Sequence, residues 1–319
     1  MRQQRQMFAA VCAAVVACGS LAMLCSAQEK KVGPAAAPLV LGDYNVKPVP
    51  FNEVRVEDDF WTPRLETSRN VTIPYTFSQC EQTPRIGNFE KAAGLREGKH
   101  EGIYFDDSDV YKVMEGAAYS LQVHPDTMLR LYLDQIIRIM AAAQWEDGYL
   151  YTFYSLPEKQ PEKRWTNIRT NHEQYCAGHM YEAAAAHYQV TGDKSFLNIA
   201  IKNADLICRT FGPGKRTDPS GHEEIEIGLC KLYRATGDRK YLEEAKFLLD
   251  QRGRLGNRGP NGDGKLYGAY AQDHIPVTEQ TEAVGHSVRA AYLYTGMADV
   301  AALTGSMDYV RAIDTIWQD

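Results

Sequence analysis

Apolar residues recur at three- and four-residue spacing along most of this chain, which predicts helices and no substantial sheet after residue 56. Val110, Val113, Met114, Ala117 and Leu121 mark one helix that starts near Asp107-Ser108-Asp109. His124-Pro125-Asp126 turns it into a second helix ending near Gln144. A repeat follows. Residues 183–190, the turn Thr191-Gly192-Asp193, then Phe196, Leu197 and Ala200 make one helical hairpin. Residues 225–235, Thr236-Gly237-Asp238, then Tyr241, Leu242 and Ala245 make another, 45 residues on. Residues 288–303 with Thr304-Gly305-Ser306 are a degenerate third copy, and His124-Pro125-Asp126 serves as a fourth. Glycine ends the first helix in the left-handed conformation, and Asp or Ser caps the next.

The connections between hairpins are long and aromatic: 145–171, 212–221 and 253–278. Tight turns at one end and long loops at the other distinguish an (α/α) barrel from a solenoid with uniformly short links. About nine helices are expected, against twelve in a complete six-hairpin barrel. The sequence stops at 316–319 inside an amphipathic pattern without a cap, so the expected fold is all-α, an incomplete (α/α)6 toroid truncated before its last helices. Upstream, 51–56 reads as a short strand, and Asp58-Asp59 caps a helix through Trp61 and Leu65. Residues 81–105, with Pro84, Gly87, Gly94, Gly98 and Gly102, read as a long surface excursion.

Composition changes this picture mainly at the N-terminus. Arg2 and Arg5, an apolar run over 7–24 and Cys25-Ser26-Ala27 form a secretory signal over 1–27, and 28–50 is a linker rich in Ala, Pro and Lys. A lipoprotein-like Val15-Val16-Ala17-Cys18 is the alternative. The expectation is a secreted or periplasmic protein, off the membrane after cleavage, with 51–319 as the helical domain. Loss of the leader takes the net charge from −6 to −8, and no basic patch points to nucleic acid. The remaining Cys80, Cys176, Cys208 and Cys230 contain no Cys-x-x-Cys pair and read as buried thiols.

The chemistry concentrates in 270–290, where Asp273, His274, Glu279, Gln280, Glu282, His286 and Arg289 cluster. A helical period from Glu279 puts Glu279, Glu282 and His286 on one face. His179, His222 and His286 precede the turns at Thr191, Thr236 and Thr304 by twelve, fourteen and eighteen residues. Each follows a glycine (Gly178, Gly221, Gly285), which lets neighbouring backbone approach closely. The repeat therefore brings three imidazoles to the long-loop rim. Asp106, Asp107, Asp109, Glu173, Glu223, Glu224, Glu279 and Glu282 gather there too, although helix capping accounts for any one of them. His172 and His179 lack a third ligand of suitable spacing, so no metal is expected to be bound by this chain. No Gly-x-Ser-x-Gly elbow, P-loop or dinucleotide fingerprint is present.

Five blocks in order carry a resemblance: Phe51 to Arg64; Asp106 to Lys112 with Glu115 to Tyr119; Tyr175-Cys-Ala-Gly-His179; Gly221-His-Glu-Glu-Ile-Glu226; and Gln280 to Arg289. Together they resemble glycoside hydrolase family 127, the β-L-arabinofuranosidases, from about residue 51 to the end. The resemblance implies an (α/α)6 barrel followed by β-sandwich domains, and a retaining hydrolysis of arabinose-containing oligosaccharides or glycans. It also implies a zinc-bound cysteine nucleophile and a glutamate acid/base. The family's Gly-Glu-x-Phe, Glu-Thr-Cys and Cys-Cys blocks do not occur here, so no catalytic residue is expected in this chain; both would lie beyond Asp319, and zinc would belong to the full-length protein. What carries over is sugar contact by His179, His222, His286, Asp109 and Gln280. Two alternatives stay open: another (α/α) barrel carbohydrate enzyme, such as an unsaturated glucuronyl hydrolase or a polysaccharide lyase, and a non-enzymatic helical-repeat adaptor.

Overall fold

A computed structural model describes residues 42–50, 53–156, 161–256, 258 and 265–319. The expected leader and the 28–41 part of the linker lie outside the described residues. Asp58 opens the helical region, its Oδ1 accepting the backbone N–H groups of Phe60, Trp61 and Thr62. Helix α1 (Trp61–Thr67) continues through a π turn at Ser68–Thr72 into α2 (Ile73–Gln82). There follow α3 (Pro84–Ala92), α4 (Asp107–Val123), α5 (Thr127–Ala143), the single turn α6 (Thr152–Ser155), α7 (Glu173–Thr191) and α8 (Ser195–Thr210). The chain then forms α9 (Ile225–Thr236), α10 (Arg239–Gln251), α11 (Ser287–Thr304) and α12 (Met307–Gln318).

Helices α2, α4, α7, α9 and α11 form one row, each packed on the next, and α3, α5, α8 and α10 form a second row outside it. This inner-and-outer arrangement is that of an (α/α) toroid, as the repeat predicts. Burial separates the rows. Every residue of α7 from Glu173 to His187 is buried, so this stretch turns no face to solvent. Outer helix α10 buries only one stripe, built on Tyr241, Leu242, Ala245, Leu248 and Leu249. The repeat turns are as expected: Gly192, Gly237 and Gly305 have φ of 70°, 74° and 70°. Asp193 Oδ1 accepts Ser195 N–H, Asp238 Oδ1 accepts Lys240 N–H, and Asp126 caps α5 through Met128 and Leu129.

Three expectations are corrected. The expected surface excursion contains α3, whose Ile86 and Phe89 are buried in the core. Pro84 sits at the start of that helix, where its missing N–H costs nothing, so it marks a beginning and not a loop. With α3, the short α6 and the division of the first helix into α1 and α2, twelve helices stand among the described residues in place of nine. Residues 53–56 form no strand, and only two isolated bridges occur among the described residues. Finally, no helix begins at Glu279. Val277–Glu279 is a 3-10 turn, a loop follows, and α11 starts at Ser287 with His286 as its cap. Gly285, at φ 81°, cannot continue a helix.

The last part of the expected linker is fastened to the short-turn end. Gly42 N–H donates to Leu303 O, Asp43 pairs with Arg234 through both oxygens, and Tyr44 OH donates to Asp299.

Candidate functional site

The three glycines before the histidines act as the sequence suggests. A Cβ on Gly178 would stand 2.7–2.8 Å from Glu224, so α7 reaches the segment leading into α9 with nothing between them. A Cβ on Gly221 would stand 1.9 Å from Arg169 O, and one on Gly285 would stand 2.1 Å from Ala269 O. These close approaches set the histidines at the loop end of the inner helices.

There the rings form one continuous cluster. Tyr175 contacts His179 and His222, with centroids 4.6 and 4.4 Å apart, and Tyr292 of α11 lies 5.7 Å from both histidines. His172 stacks on Phe105 at 4.7 Å and lies 5.3 Å from His222. His286 lies 6.1 Å from His222 and 5.5 Å from Tyr270. The predicted trio thus converges, with His222 in the middle.

Hydrogen bonds sort the imidazoles by tautomer. His172 Nδ1 donates to Thr170 O at 2.8 Å, and His222 Nδ1 donates to Glu223 O at 2.9 Å. Both therefore present Nε2 as an acceptor. His286 is the reverse: its Nδ1 accepts Arg289 N–H as a helix cap, so its hydrogen is on Nε2. Burial pushes His172 down to about 4 and His222 down to about 3, and it lowers His179 as well, so these three are neutral at pH 7.

Beside the cluster, Lys112 Nζ lies 2.6 Å from Tyr175 OH. Lys112 also borders a cleft of about 580 Å³ between α2 and α4, lined by Ile73, Thr76, Gln79, Arg85 and Asp109 among others. Asp109 lines that cleft with its Oδ2 accepting Arg85 Nε at 2.7 Å. Gln280 is buried below the rim, where its amide donates to Gln272 O and Ile275 O and holds the loop.

The remaining carboxylates divide. Asp107 accepts from Thr152, and Glu173 accepts from Tyr149 OH and Trp165 N–H. Glu223 and Glu226 face the fully buried Arg252 at 2.9 and 3.7 Å. Glu279 and Glu282 are exposed. The ring cluster also includes residues that the sequence pattern does not single out as sugar contacts: His172, Tyr175 and Tyr292, with Glu182 behind them. A signal is there, since His172, at the N-terminal end of α7, and Tyr175, His179 and Glu182 within it are spaced three, four and three apart, as along one helix face. Glu182 completes a group with His179 and Glu224 whose ligand-type atoms lie within 4.8 Å of one another, which spacing along the chain does not reveal.

A family model described as the β-L-arabinofuranosidase, GH127 catalytic domain matches residues 53–319. The chain belongs to glycoside hydrolase family 127. Among its GH127 relatives, a non-reducing end β-L-arabinofuranosidase of Bifidobacterium longum subsp. longum is 38% identical, over 83% of this chain and 46% of the relative. A solved GH127 β-L-arabinofuranosidase from Geobacillus stearothermophilus T6 superposes with a TM-score of 0.78 at 40% identity, covering 83% of this chain and 44% of that one. A second solved GH127 β-arabinofuranosidase gives a TM-score of 0.78 at 50% identity, over 85% and 43%. This GH127 chain spans less than half the length of these relatives.

Proposed function

We propose that this chain supplies the sugar-holding half of a secreted retaining β-L-arabinofuranosidase acting on arabinofuranose-containing glycans. The observation that supports it best is the ring cluster of histidines and tyrosines at the loop end of the inner helices. Nε2 of His172 and His222 are acceptors and Nε2–H of His286 is a donor, a set suited to orienting several sugar hydroxyls. Tyr175 and Tyr292 offer apolar ring faces to a furanose. Neutrality suits the chemistry, because glycoside cleavage develops positive charge on the sugar and cationic imidazoles would oppose it.

None of the described residues is assigned as nucleophile or acid/base. The zinc that the resemblance implies does not fit them. Cys80, Cys176, Cys208 and Cys230 lie on four different helices and are unpaired. Burial raises all four thiols, Cys80 to about 11 and Cys208 to about 12, which keeps them protonated. The one ligand-type group among the described residues, His179 with Glu182 and Glu224, contains no sulfur and already has the Lys231 ammonium against Glu182. No step is therefore derived through a metal.

Calorimetric titration with a panel of sugars tests the reading. Methyl β-L-arabinofuranoside is expected to bind, and methyl β-L-arabinopyranoside and an unsaturated glucuronyl disaccharide are expected to bind at least about tenfold more weakly, a loss of about 1.4 kcal/mol. Preference for the uronide would move the chain to a different carbohydrate class.

A further inference from the structure

Directly behind the ring cluster lies a buried set of ionisable groups with no place in sugar contact. Glu182 comes from α7, Glu224 from the residue before α9, Lys231 from α9 and Glu115 from α4. Lys231 Nζ bridges Glu182 and Glu115, the latter at 3.1 Å. Glu224 is wholly buried, and neither of its carboxyl oxygens has a hydrogen-bond partner. His179 Nδ1 lies 3.2 Å from Glu224 Oε1 and 3.5 Å from Glu182 Oε2. On the other edge of the same ring, Nε2 is buried and unpartnered, and the ring itself is 4% exposed.

An ionised carboxylate cannot sit unsolvated beside another carboxylate without a cation or a proton of its own. Lys231 is taken by Glu182 and Glu115, and Arg252 by Glu223 and Glu226. We propose that Glu182 and Glu224 are positioning residues that hold one proton between them, carried by Glu224, and thereby fix His179 as its Nδ1–H tautomer with Nε2 free as an acceptor. The direction of ionisation agrees. Burial, then the neighbouring Glu182 carboxylate, push Glu224 well above the usual carboxylate range. Burial alone would raise Glu182 too, but His179, Glu224 and Lys231 hold it well below that range. The other groups facing the pair are Lys112 and Tyr119 on α4, Glu226 on α9 and Tyr292 on α11.

The proposal deepens the sugar-site reading but rests on it only for what Nε2 accepts. The pair also separates from a metal-site account of the same three residues at one substitution. Glu224→Gln copies a protonated carboxyl, since its NH2 donates to Glu182 and its carbonyl still faces His179, whereas it removes an anionic ligand.

Imidazole NMR of 15N-histidine-labelled protein tests this, with the His179 signals assigned by their loss in His179→Gln. Between about pH 6 and 8, where a free imidazole titrates, His179 is expected to keep a protonated Nδ1 and a bare Nε2. Glu224→Gln is expected to leave that pattern unchanged, and the double variant Glu182→Leu/Glu224→Leu to lose it. A hydrogen on Nε2 in the wild type, a tautomer change in Glu224→Gln, or stoichiometric shifts of His179 on adding Zn2+ would each overturn the proposal. Methyl β-L-arabinofuranoside added to the same sample separates the two readings. The expected His179 tautomer with no sugar-induced shift at His172 or His222 supports the proton pair and counts against the sugar site.

Discussion

Gly178 and Gly228 meet where α7 crosses α9: a Cβ on Gly228 would stand 2.5 Å from Gly178 O and 2.9 Å from its Cα. The neighbours are backbone, which cannot turn aside as a flexible side chain can. Alanine at 228 gains about 1 kcal/mol of helix propensity but forces apart the crossing that brings Glu224 to His179, at about 1–3 kcal/mol. Gly228→Ala is therefore expected to be destabilising in a urea melt. A variant as stable as the wild type would mean that the two helices do not pack this closely.

Arg252 ties the two loops that carry His222 and His286. Fully buried, it donates to Ser220 O at 2.7 Å and Ala271 O at 3.1 Å while facing Glu223. Removing one member of a buried ion pair leaves the other uncompensated, at about 3–5 kcal/mol. Arg252→Met should lose stability on that scale by chemical denaturation, and Arg252→Lys should recover only part, because one ammonium cannot reproduce the guanidinium fork.

Glu173 gives the stability a defined pH dependence. It is 2% exposed, and burial pushes it up to about 7 against the bonds from Tyr149 and Trp165 that lower it. Between its ordinary value of 4.5 and about 7 the folded protein keeps a proton that the unfolded chain has released. The contribution favouring folding is complete below the ordinary value and is lost as the pH rises through 7. Glu173→Gln has no such dependence. Its stability relative to wild type should grow across that window by up to about 3 kcal/mol in melts at stepped pH. A constant difference would contradict the shift.

These residues also show what a sequence can and cannot convey. The Thr-Gly-Asp turns are legible because their chemistry is local: a left-handed glycine followed at once by a capping carboxylate. The glycine before each histidine is legible for the same reason. Glu182 and Lys231 are not, because their convergence with Glu224 depends on how α4, α7 and α9 cross. The helix expected from Glu279 fails because acidic spacing alone runs straight through Gly285, a local breaker that the chain obeys. In α3 the difficulty is reversed, since Pro84 punctuates a helix start as readily as it does a loop. Asp109 and Gln280 are legible as polar residues near the rim, yet their bonds to Arg85 and to loop carbonyls come from tertiary packing.

The most direct measurement of the central claim is a crystal structure of this protein with methyl β-L-arabinofuranoside at saturating concentration. The account predicts a furanose ring against Tyr175 and Tyr292, with hydroxyl groups donating to Nε2 of His172 and His222 and one accepting from His286. Sugar lodged elsewhere, or a ring cluster left free of sugar at saturation, would contradict it.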